Sequence, residues 1–121
     1  MELTLSQLFQ HAENTREYEP GEIIFAEGGR GDCMYALLEG EVAINIKGFD
    51  VWQLKPGELF GEMALIEDKP RSATAIARTA ARVALIDERR FLFMVQQTPY
   101  FALQMMRLMA SRLRAMDDTI S

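Results

Sequence analysis

The spacing of turn-forming residues is the strongest constraint on how this chain can fold. Between residues 18 and 60, glycine and proline recur at short intervals, at Pro20-Gly21, Gly28-Gly29, Gly31-Asp32, Gly40, Gly48 and Pro56-Gly57. Turn signals this frequent leave room only for short strands between them. The segment therefore predicts an antiparallel sandwich or barrel.

The segment EVAINIK shows the clearest strand pattern. One face carries Val42, Ile44 and Ile46, and the other carries Glu41, Asn45 and Lys47. Strict alternation of this kind is typical of a strand with one face buried and one exposed. Gly48 follows at once and favours a hairpin turn there.

A second β pattern lies in RSATAIARTAARVALID. Ala73, Ala75 and Ala77 fall on one side of the predicted strand, and Thr74, Ile76 and Arg78 fall on the other. Because alanine side chains are short, this face leaves space beside it. The arginines of the segment are spaced as expected for the solvent side of a strand and a helix start.

Helical spacing appears at both ends of the chain. The N-terminal segment LSQLFQHAEN predicts a short helix through its apolar residues Leu5, Leu8, Phe9 and Ala12. After the strands, DERRFLFMVQQ predicts a helix capped by Asp87. A longer helix is predicted from Thr98, as cap, with Pro99 at its first position, where a missing N–H is tolerated.

The long C-terminal helix has more apolar surface than one packing face requires. One stripe contains Leu103, Met106, Ala110, Leu113 and Ile120, and an adjoining stripe contains Met105, Met109 and Met116. Methionine is a common gap filler, so core packing explains these residues simply. A helix with two apolar faces also suits a partner, and homodimerisation through this helix is a secondary hypothesis.

Composition excludes several kinds of site. The 121 residues contain one cysteine, Cys33, and one histidine, His11, so neither an internal disulfide nor a multi-cysteine metal cage is available. A formal net charge of −5 argues against direct binding of nucleic acid. No apolar run approaches the ~20 residues of a membrane span, and the composition suits the cytoplasm.

The segment GELFGEMALIEDKPRSATAIA holds the chemistry expected of an anion site. The planar guanidinium of Arg71 matches two phosphate oxygens, and Ser72 adds a hydroxyl donor. GEMAL favours one helical turn whose N–H groups at Gly61, Met63 and Ala64 would face the same anion. A carboxylate near phosphate is repelled, so Glu62 fits best if it accepts from a ribose hydroxyl and pairs with Arg71.

Two further observations bear on this segment. The alanine face, together with Leu59, Phe60 and Leu65, would supply apolar walls. No activated serine, histidine base or paired cysteine accompanies it, so we expect no enzyme activity. By spacing alone, a glutamate and an arginine across a turn equally suit a surface ion pair of little energetic value.

The sequence resembles the cyclic nucleotide-binding domain family. GELFGEMALIEDKPRSATAIA is similar to the phosphate-binding cassette of that family almost throughout, and PGEIIFAEGGRGDCMYALLEGEV is similar to its paired glycine turns and to the aspartate and tyrosine before the second hairpin. The resemblance runs from Leu5 to the end of the chain. It implies a mainly β fold with flanking helices: a short helix, an eight-stranded jelly-roll (double-stranded β-helix) and C-terminal helices.

The resemblance also implies a role for each cassette residue. Glu62 would accept from the ribose hydroxyl, Arg71 and Ser72 would hold the cyclic phosphate, and Gly61 and Ala64 would line it through the backbone. Met63 and Ala73 complete the implied ligand-binding set. Bacterial regulators of this family carry threonine and serine that reach the adenine, and in a gapless comparison these positions fall at Met116 and Asp117. Met116 is therefore a candidate cap over the base.

These observations lead to one leading hypothesis and two alternatives. We expect one domain over residues 1–121, with the jelly-roll at about 18–86, helices at about 87–118 and no helix-turn-helix. The leading hypothesis is that this domain is a non-enzymatic sensor of cyclic AMP or cyclic GMP, and that it signals through its C-terminal helices to a protein effector. The first alternative is an interaction or oligomerisation module that does not use nucleotide. The second is a regulator subunit that relies on a partner chain for DNA reading.

Overall fold

A computed structural model describes residues 14–67 and 69–120, and the side chains among them up to residue 115. The predicted N-terminal helix with Leu5, Leu8, Phe9 and Ala12 lies outside these residues, as does the side chain of Met116. Eight strands are described: β1 (Thr15–Tyr18), β2 (Ile23–Phe25), β3 (Cys33–Glu39), β4 (Val42–Ile46), β5 (Phe49–Leu54), β6 (Leu59–Phe60), β7 (Thr74–Ala77) and β8 (Ala81–Asp87). The described helices are α1 (Met63–Glu67), α2 (Glu88–Gln97) and α3 (Pro99–Ile120).

The strands form two four-stranded antiparallel sheets. The first sheet has the order β1-β8-β3-β6, and the second has the order β2-β7-β4-β5. Each strand of the first half of the chain pairs with its counterpart from the second half, β1 with β8, β2 with β7, β3 with β6 and β4 with β5. This nested pairing is that of one long hairpin rolled into a jelly-roll. The predicted mainly β fold with C-terminal helices is confirmed.

The core lies between the two sheets. It contains Tyr35, Leu37, Val83 and Leu85 from the first sheet and Val42, Leu54, Ala75 and Ala77 from the second. The opposite face of β3 and β8 is buried as well, at Met34, Ala36, Ala84 and Ile86. Burial on both faces explains why these two strands are apolar almost throughout and do not alternate.

The β4 strand keeps its predicted position but not the predicted alternation. Val42 and Ala43 are both buried, whereas Ile46 is 37 % exposed at the far end of the strand. Ala43 lies opposite Gln53 and Ile76, whose longer side chains shield its methyl group. The predicted hairpin turn is present, with Lys47 and Gly48 both at positive φ (52° and 91°), as a two-residue primed turn requires.

The surface positions of the arginines agree with the sequence prediction. Arg78 is exposed and pairs with Asp50, its Nε donating to Oδ2 at 3.1 Å and its Nη2 to Oδ1 at 2.6 Å. Arg82 pairs with Glu39 at 3.3 Å. These two arginines therefore act as partners of surface carboxylates.

The described residues separate into two compact units, divided between Glu88 and Arg89. In the second unit, α2 follows Asp87 directly and α3 begins at Pro99 after Thr98, as predicted. The Phe91 ring meets the Phe101 ring edge to face at 5.6 Å between centroids, and this contact links the two helices.

The two apolar stripes of α3 differ in burial. Met105 is 2 % exposed, whereas Leu103, Met106 and Leu113 of the other stripe are 38 %, 55 % and 64 % exposed. Core packing therefore explains Met105. It does not explain the stripe that contains Leu113.

Candidate functional site

The short helix α1 and the residue before it form one side of the site. Gly61 follows β6 with φ 74°, and a Cβ there would lie 2.8 Å from Nη1 of Arg71. The carbonyl oxygen of Glu62 accepts from the N–H groups of Leu65 and Ile66, at 3.1 and 3.3 Å. Hydrogen bonding within this turn thus begins at Leu65, and the N–H groups of the residues before it lie ahead of the first intrahelical bond.

Arg71 is the central residue of the site. Its side chain is buried, with 7 % of the residue exposed. Nη1 donates to the carbonyl oxygen of Gly61 at 2.8 Å, and Nη2 donates to the carbonyl oxygen of Cys33 at 2.7 Å. The buried Nε has no hydrogen-bond partner among the residues that the structure describes. A buried donor without a partner is costly, so this nitrogen is a candidate contact for an anionic ligand.

The backbone of Arg71 is held as firmly as its side chain. Its N–H donates to the carbonyl oxygen of Gly29 at 2.7 Å, and its own carbonyl oxygen accepts from the N–H of Gly28 at 2.8 Å. The same loop is tied to β7, because the N–H of Glu27 donates to the hydroxyl of Thr74 at 2.9 Å. The Gly28-Gly29 turn thus positions the arginine directly.

An aromatic cluster lies under the guanidinium. The rings of Phe25, Tyr35 and Phe60 stack on one another, with centroids 5.2 to 6.1 Å apart. The Cζ atom of Arg71 lies 4.2 Å from the centroid of Phe25 and 5.7 Å from that of Tyr35. A guanidinium at these distances from a ring face is stabilised by a cation–π interaction.

Gly31, in the segment between β2 and β3, packs closely against Arg71. A Cβ at this position would lie 2.4 Å from Cβ of Ala64 and 2.6 Å from Nε of Arg71. No side chain fits in that space. The packing of α1 and the guanidinium against the loop therefore requires glycine here.

An apolar row crosses the second sheet beside the arginine. Phe25 lies opposite Ala75, Ala75 opposite Ile44, and Ile44 opposite Trp52. Residues directly opposite one another share a face of the sheet. With strands about 4.8 Å apart, the row extends about 14 Å from the arginine end to Trp52. Ala75 lies in the middle of this row, and its short side chain leaves more space there than a larger residue would.

Neutral groups surround the arginine on the β3 side. Burial raises the pKa of the Cys33 thiol above its ordinary value, and the nearby Asp32 carboxylate raises it further. Burial also raises the pKa of the Tyr35 hydroxyl, with a further contribution from its hydrogen bond to Cys33. Neither group carries negative charge at neutral pH, so neither competes with an anion for Arg71.

The structure brings most of the predicted ligand-binding residues together. Gly61 and Ala64 lie close to Arg71, and Glu62 and Ala73 are buried, whereas Met63 (44 % exposed) and Ser72 lie at the surface. The predicted roles of all seven residues, and the predicted pairing of Glu62 with Arg71, stay predictions. The predicted base cap, Met116, falls outside the described side chains.

Sequence reasoning missed three contributors to the site. Phe25 was unassigned, Gly31 was noted only as a turn residue, and Cys33 was considered only as a thiol, although it is its carbonyl oxygen that binds Arg71. The dense glycines of the loop carried a usable signal of close approach. A backbone carbonyl carries none, since every residue has one.

Two kinds of feature are absent from the described part of the chain. Among those residues, no group of three or more potential metal-ligating side chains comes together. None of the helices described is long and apolar enough to cross a membrane.

Comparison with known proteins gives a consistent result. The family described as cyclic nucleotide-binding domain matches residues 15–98. A cGMP-dependent protein kinase of Eimeria tenella is 45 % identical over 62 residues, which are 51 % of this chain and 6 % of the kinase. A cAMP-dependent protein kinase regulatory subunit of Yarrowia lipolytica is 41 % identical over 75 residues, which are 60 % of this chain and 20 % of the subunit.

A solved structure extends the similarity beyond the cassette. The Thermus thermophilus catabolite activator protein superposes with a TM-score of 0.80 and 31 % sequence identity, over 88 % of this chain and 53 % of that one. The chain thus spans about half of this relative and a small part of the two kinase proteins. What the similarity supports is a shared domain.

Proposed function

The chain belongs to the cyclic nucleotide-binding domain family, and from this premise we propose that the Arg71 site binds cyclic AMP, with cyclic GMP as the alternative ligand. The domain resembles regulatory, not catalytic, domains of its relatives. The single observation that carries the proposal is the buried guanidinium, whose Nε has no partner among the described residues. A desolvated cation with an unused donor is suited to an anion that enters from solvent.

The phosphate is the part of the ligand that we assign to Arg71. Its two Nη atoms each use one N–H on a backbone carbonyl, and the remaining N–H groups include Nε. The backbone N–H groups at the start of α1 and the hydroxyl of Ser72 add dipoles to this charge. Burial strengthens the interaction of the phosphate with Arg71, because water screens the guanidinium less there.

We assign the ribose to Glu62 and the base to the apolar row of the second sheet. Glu62 is buried and directly follows Gly61, whose carbonyl oxygen accepts from Arg71, and we assign its carboxylate to the ribose 2′-hydroxyl. The base would lie along the row that ends at Trp52. Relatives named for cyclic AMP and for cyclic GMP both match, so the preferred base is left to experiment.

We further assign a signalling role to α2 and α3. Ligand would bias a pre-existing equilibrium of these helices, and the coupling would come from contacts that differ between the two states. Hydrogen exchange in the segment 99–118 should then slow or accelerate on saturation with nucleotide. Identical exchange with and without ligand would contradict the signalling role and leave the binding role intact.

The direct test is a calorimetric titration of nucleotide-stripped protein with cyclic AMP, cyclic GMP and 5′-AMP. Saturable heat with a cyclic form and none with 5′-AMP would support the proposal and identify the base. Arg71→Ala should weaken binding by roughly 2–5 kcal/mol, the cost of removing one partner of a desolvated charge pair. The matched control is Arg78→Ala, which removes an exposed arginine from the same strand region and should leave affinity unchanged.

The ribose assignment has its own test. A 2′-deoxy cyclic nucleotide lacks the hydroxyl that Glu62 would accept from, so wild-type protein should bind it more weakly. Glu62→Gln should cost less than Arg71→Ala, because an amide oxygen still accepts a hydrogen bond. Equal affinity of the wild type for the deoxy and parent ligands would remove Glu62 from the ribose.

The exposed stripe on α3 favours a second candidate function, an interaction or oligomerisation module. Leu103, Met106 and Leu113 expose a row of apolar surface that a second copy of the chain would cover. Sedimentation at rising concentration measures this directly, and Leu113→Ser should shift the equilibrium toward monomer. A protein that dimerises tightly but gives no heat with any nucleotide would replace the first candidate with this one. Partners in the cytoplasm, including a protein effector, are part of either proposal.

A further inference from the structure

The guanidinium of Arg71 lies in a narrow space that two residues of the β2–β3 region define. The ring of Phe25 lies 4.2 Å from Cζ, and at Gly31 an added Cβ would lie 2.6 Å from Nε and 2.7 Å from Cζ. We call this space, bounded by Phe25 and Gly31, the Arg71 slot. A flat group fits there, and any side chain at residue 31 would displace it.

The slot and the two carbonyl acceptors restrict different movements of the side chain. The bonds to Gly61 and Cys33 fix the positions of Nη1 and Nη2 and so oppose rotation of the planar guanidinium within its own plane. The ring of Phe25 opposes tilting of that plane, since the attraction depends on the cation lying over the ring face. Together they hold the arginine in one orientation before any ligand is present.

We propose that Phe25 and Gly31 are positioning residues for the phosphate subsite, acting through Arg71 and not through contact with the phosphate. This inference rests on the proposed function, because it concerns how the same site binds its anion. A long arginine side chain loses considerable rotamer freedom when it is ordered by a ligand. An arginine that is already ordered avoids that loss at the moment of binding, and affinity rises accordingly.

The alternative is that Phe25 contributes only to core packing. Phe25 is half-buried and stacks on Phe60 and Tyr35, so its loss would disturb the core as well. Phe60 supplies a matched control. It is 1 % exposed and belongs to the same aromatic cluster, but its ring is not among those that face the guanidinium in the described residues.

The test compares Phe25→Leu, Phe25→Tyr and Phe60→Leu by titration with the cyclic nucleotide that wild-type protein binds. Leucine keeps apolar bulk but has no ring face, so Phe25→Leu should weaken binding about 5- to 30-fold, whereas tyrosine restores the ring and should stay within about threefold of wild type. Phe60→Leu should lower thermal stability at least as much as Phe25→Leu and change affinity less. Gly31→Ala should weaken binding at least tenfold.

A measurement on the ligand-free protein tests whether Phe25 orients Arg71 independently of nucleotide binding. In the NMR spectrum of the ligand-free protein, the Hε resonance of Arg71 should be shifted by the ring of Phe25 and should exchange slowly with water. Phe25→Leu should abolish the shift, and Phe60→Leu should keep it.

Different outcomes overturn different statements. If wild-type protein binds nucleotide and Phe25→Leu binds it equally well, or if the Hε resonance is the same in both, the positioning role is wrong and the proposed function stands. If wild-type protein binds no nucleotide while the Hε shift is present, the proposed function is wrong and the inference falls with it.

Discussion

Replacing Arg71 by lysine keeps the positive charge but removes the planar guanidinium, whose several nitrogens form a fork of hydrogen-bond donors. The guanidinium donates to two carbonyl oxygens from two nitrogens, at 2.8 Å to Gly61 and at 2.7 Å to Cys33. The lysine ammonium has a single nitrogen, so it cannot occupy the positions of both Nη1 and Nη2. At least one carbonyl in this buried region then loses its partner, at a cost of about 1–3 kcal/mol in the free energy of unfolding.

The chain contains a matched control for the same substitution. Arg78 also uses two nitrogens, on the two carboxylate oxygens of Asp50, but its side chain is 40 % exposed. Because water screens that pair and hydrates whatever the lysine leaves unbound, Arg78→Lys should cost less than about 1 kcal/mol. The two variants make the same substitution in a buried and in an exposed two-nitrogen arrangement, so Arg78→Lys controls for the general effect of replacing arginine by lysine.

The assay is urea and thermal unfolding of the ligand-free protein, wild type against both variants. For a chain of this size, 1 kcal/mol corresponds to roughly 3–6 °C in Tm, so the expected difference is well resolved. Titration with cyclic nucleotide should show a further loss for Arg71→Lys, because one nitrogen cannot bind two phosphate oxygens in parallel. Equal unfolding free energies of the two variants would refute the reasoning that the buried carbonyls depend on the fork.

Two further predictions concern the framework of the site. Gly40 has φ 88°, and a Cβ there would lie 2.2 Å from the carbonyl oxygen of Ala80, whereas at Gly48 (φ 91°) nothing lies within 4 Å of such a Cβ. Gly40→Ala should therefore destabilise the protein by about 1–3 kcal/mol more than Gly48→Ala, which introduces only backbone strain. Equal losses of stability in the two variants would contradict the clash at Gly40. The hydrogen bond from Arg78 holds the pKa of the Asp50 carboxyl below its ordinary value. A carboxyl with a lowered folded-state pKa stabilises the fold above its unfolded pKa and loses that effect as pH falls through the folded one, so the stability gap between wild type and Asp50→Asn should narrow between about pH 6 and about pH 3. A gap that stays constant over this range would show that the pair contributes nothing through ionisation.

The parts of the fold that were predictable from sequence are those that neighbouring residues determine. The turn residues marked the ends of short strands, the two-residue turn at Gly48 has the backbone that glycine favours, and α3 begins at Pro99, a position where a missing N–H is tolerated. Each of these features depends on the conformational limits of a few consecutive residues. The cassette residues could be proposed from sequence for a related reason, since their chemistry and order lie within one continuous segment.

The parts that were not predictable depend on residues far apart in the chain. The burial of Ala43 is set by longer neighbours on two adjacent strands, and the exposure of the Leu113 stripe depends on which face of α3 is covered. Periodicity identifies that two faces exist. It does not say which of them is buried.

For the site, the sequence by itself determined which groups are present: one guanidinium, a carboxylate beside a glycine, and small residues around them. Only the tertiary structure decided how the arginine is held, because it depends on a backbone carbonyl at Cys33, a ring at Phe25 and the missing side chain of Gly31. A carbonyl and a missing side chain have no distinctive letter in a sequence. They acquire a role only when β2, β3 and the segment before β7 are brought within a few ångströms of one another.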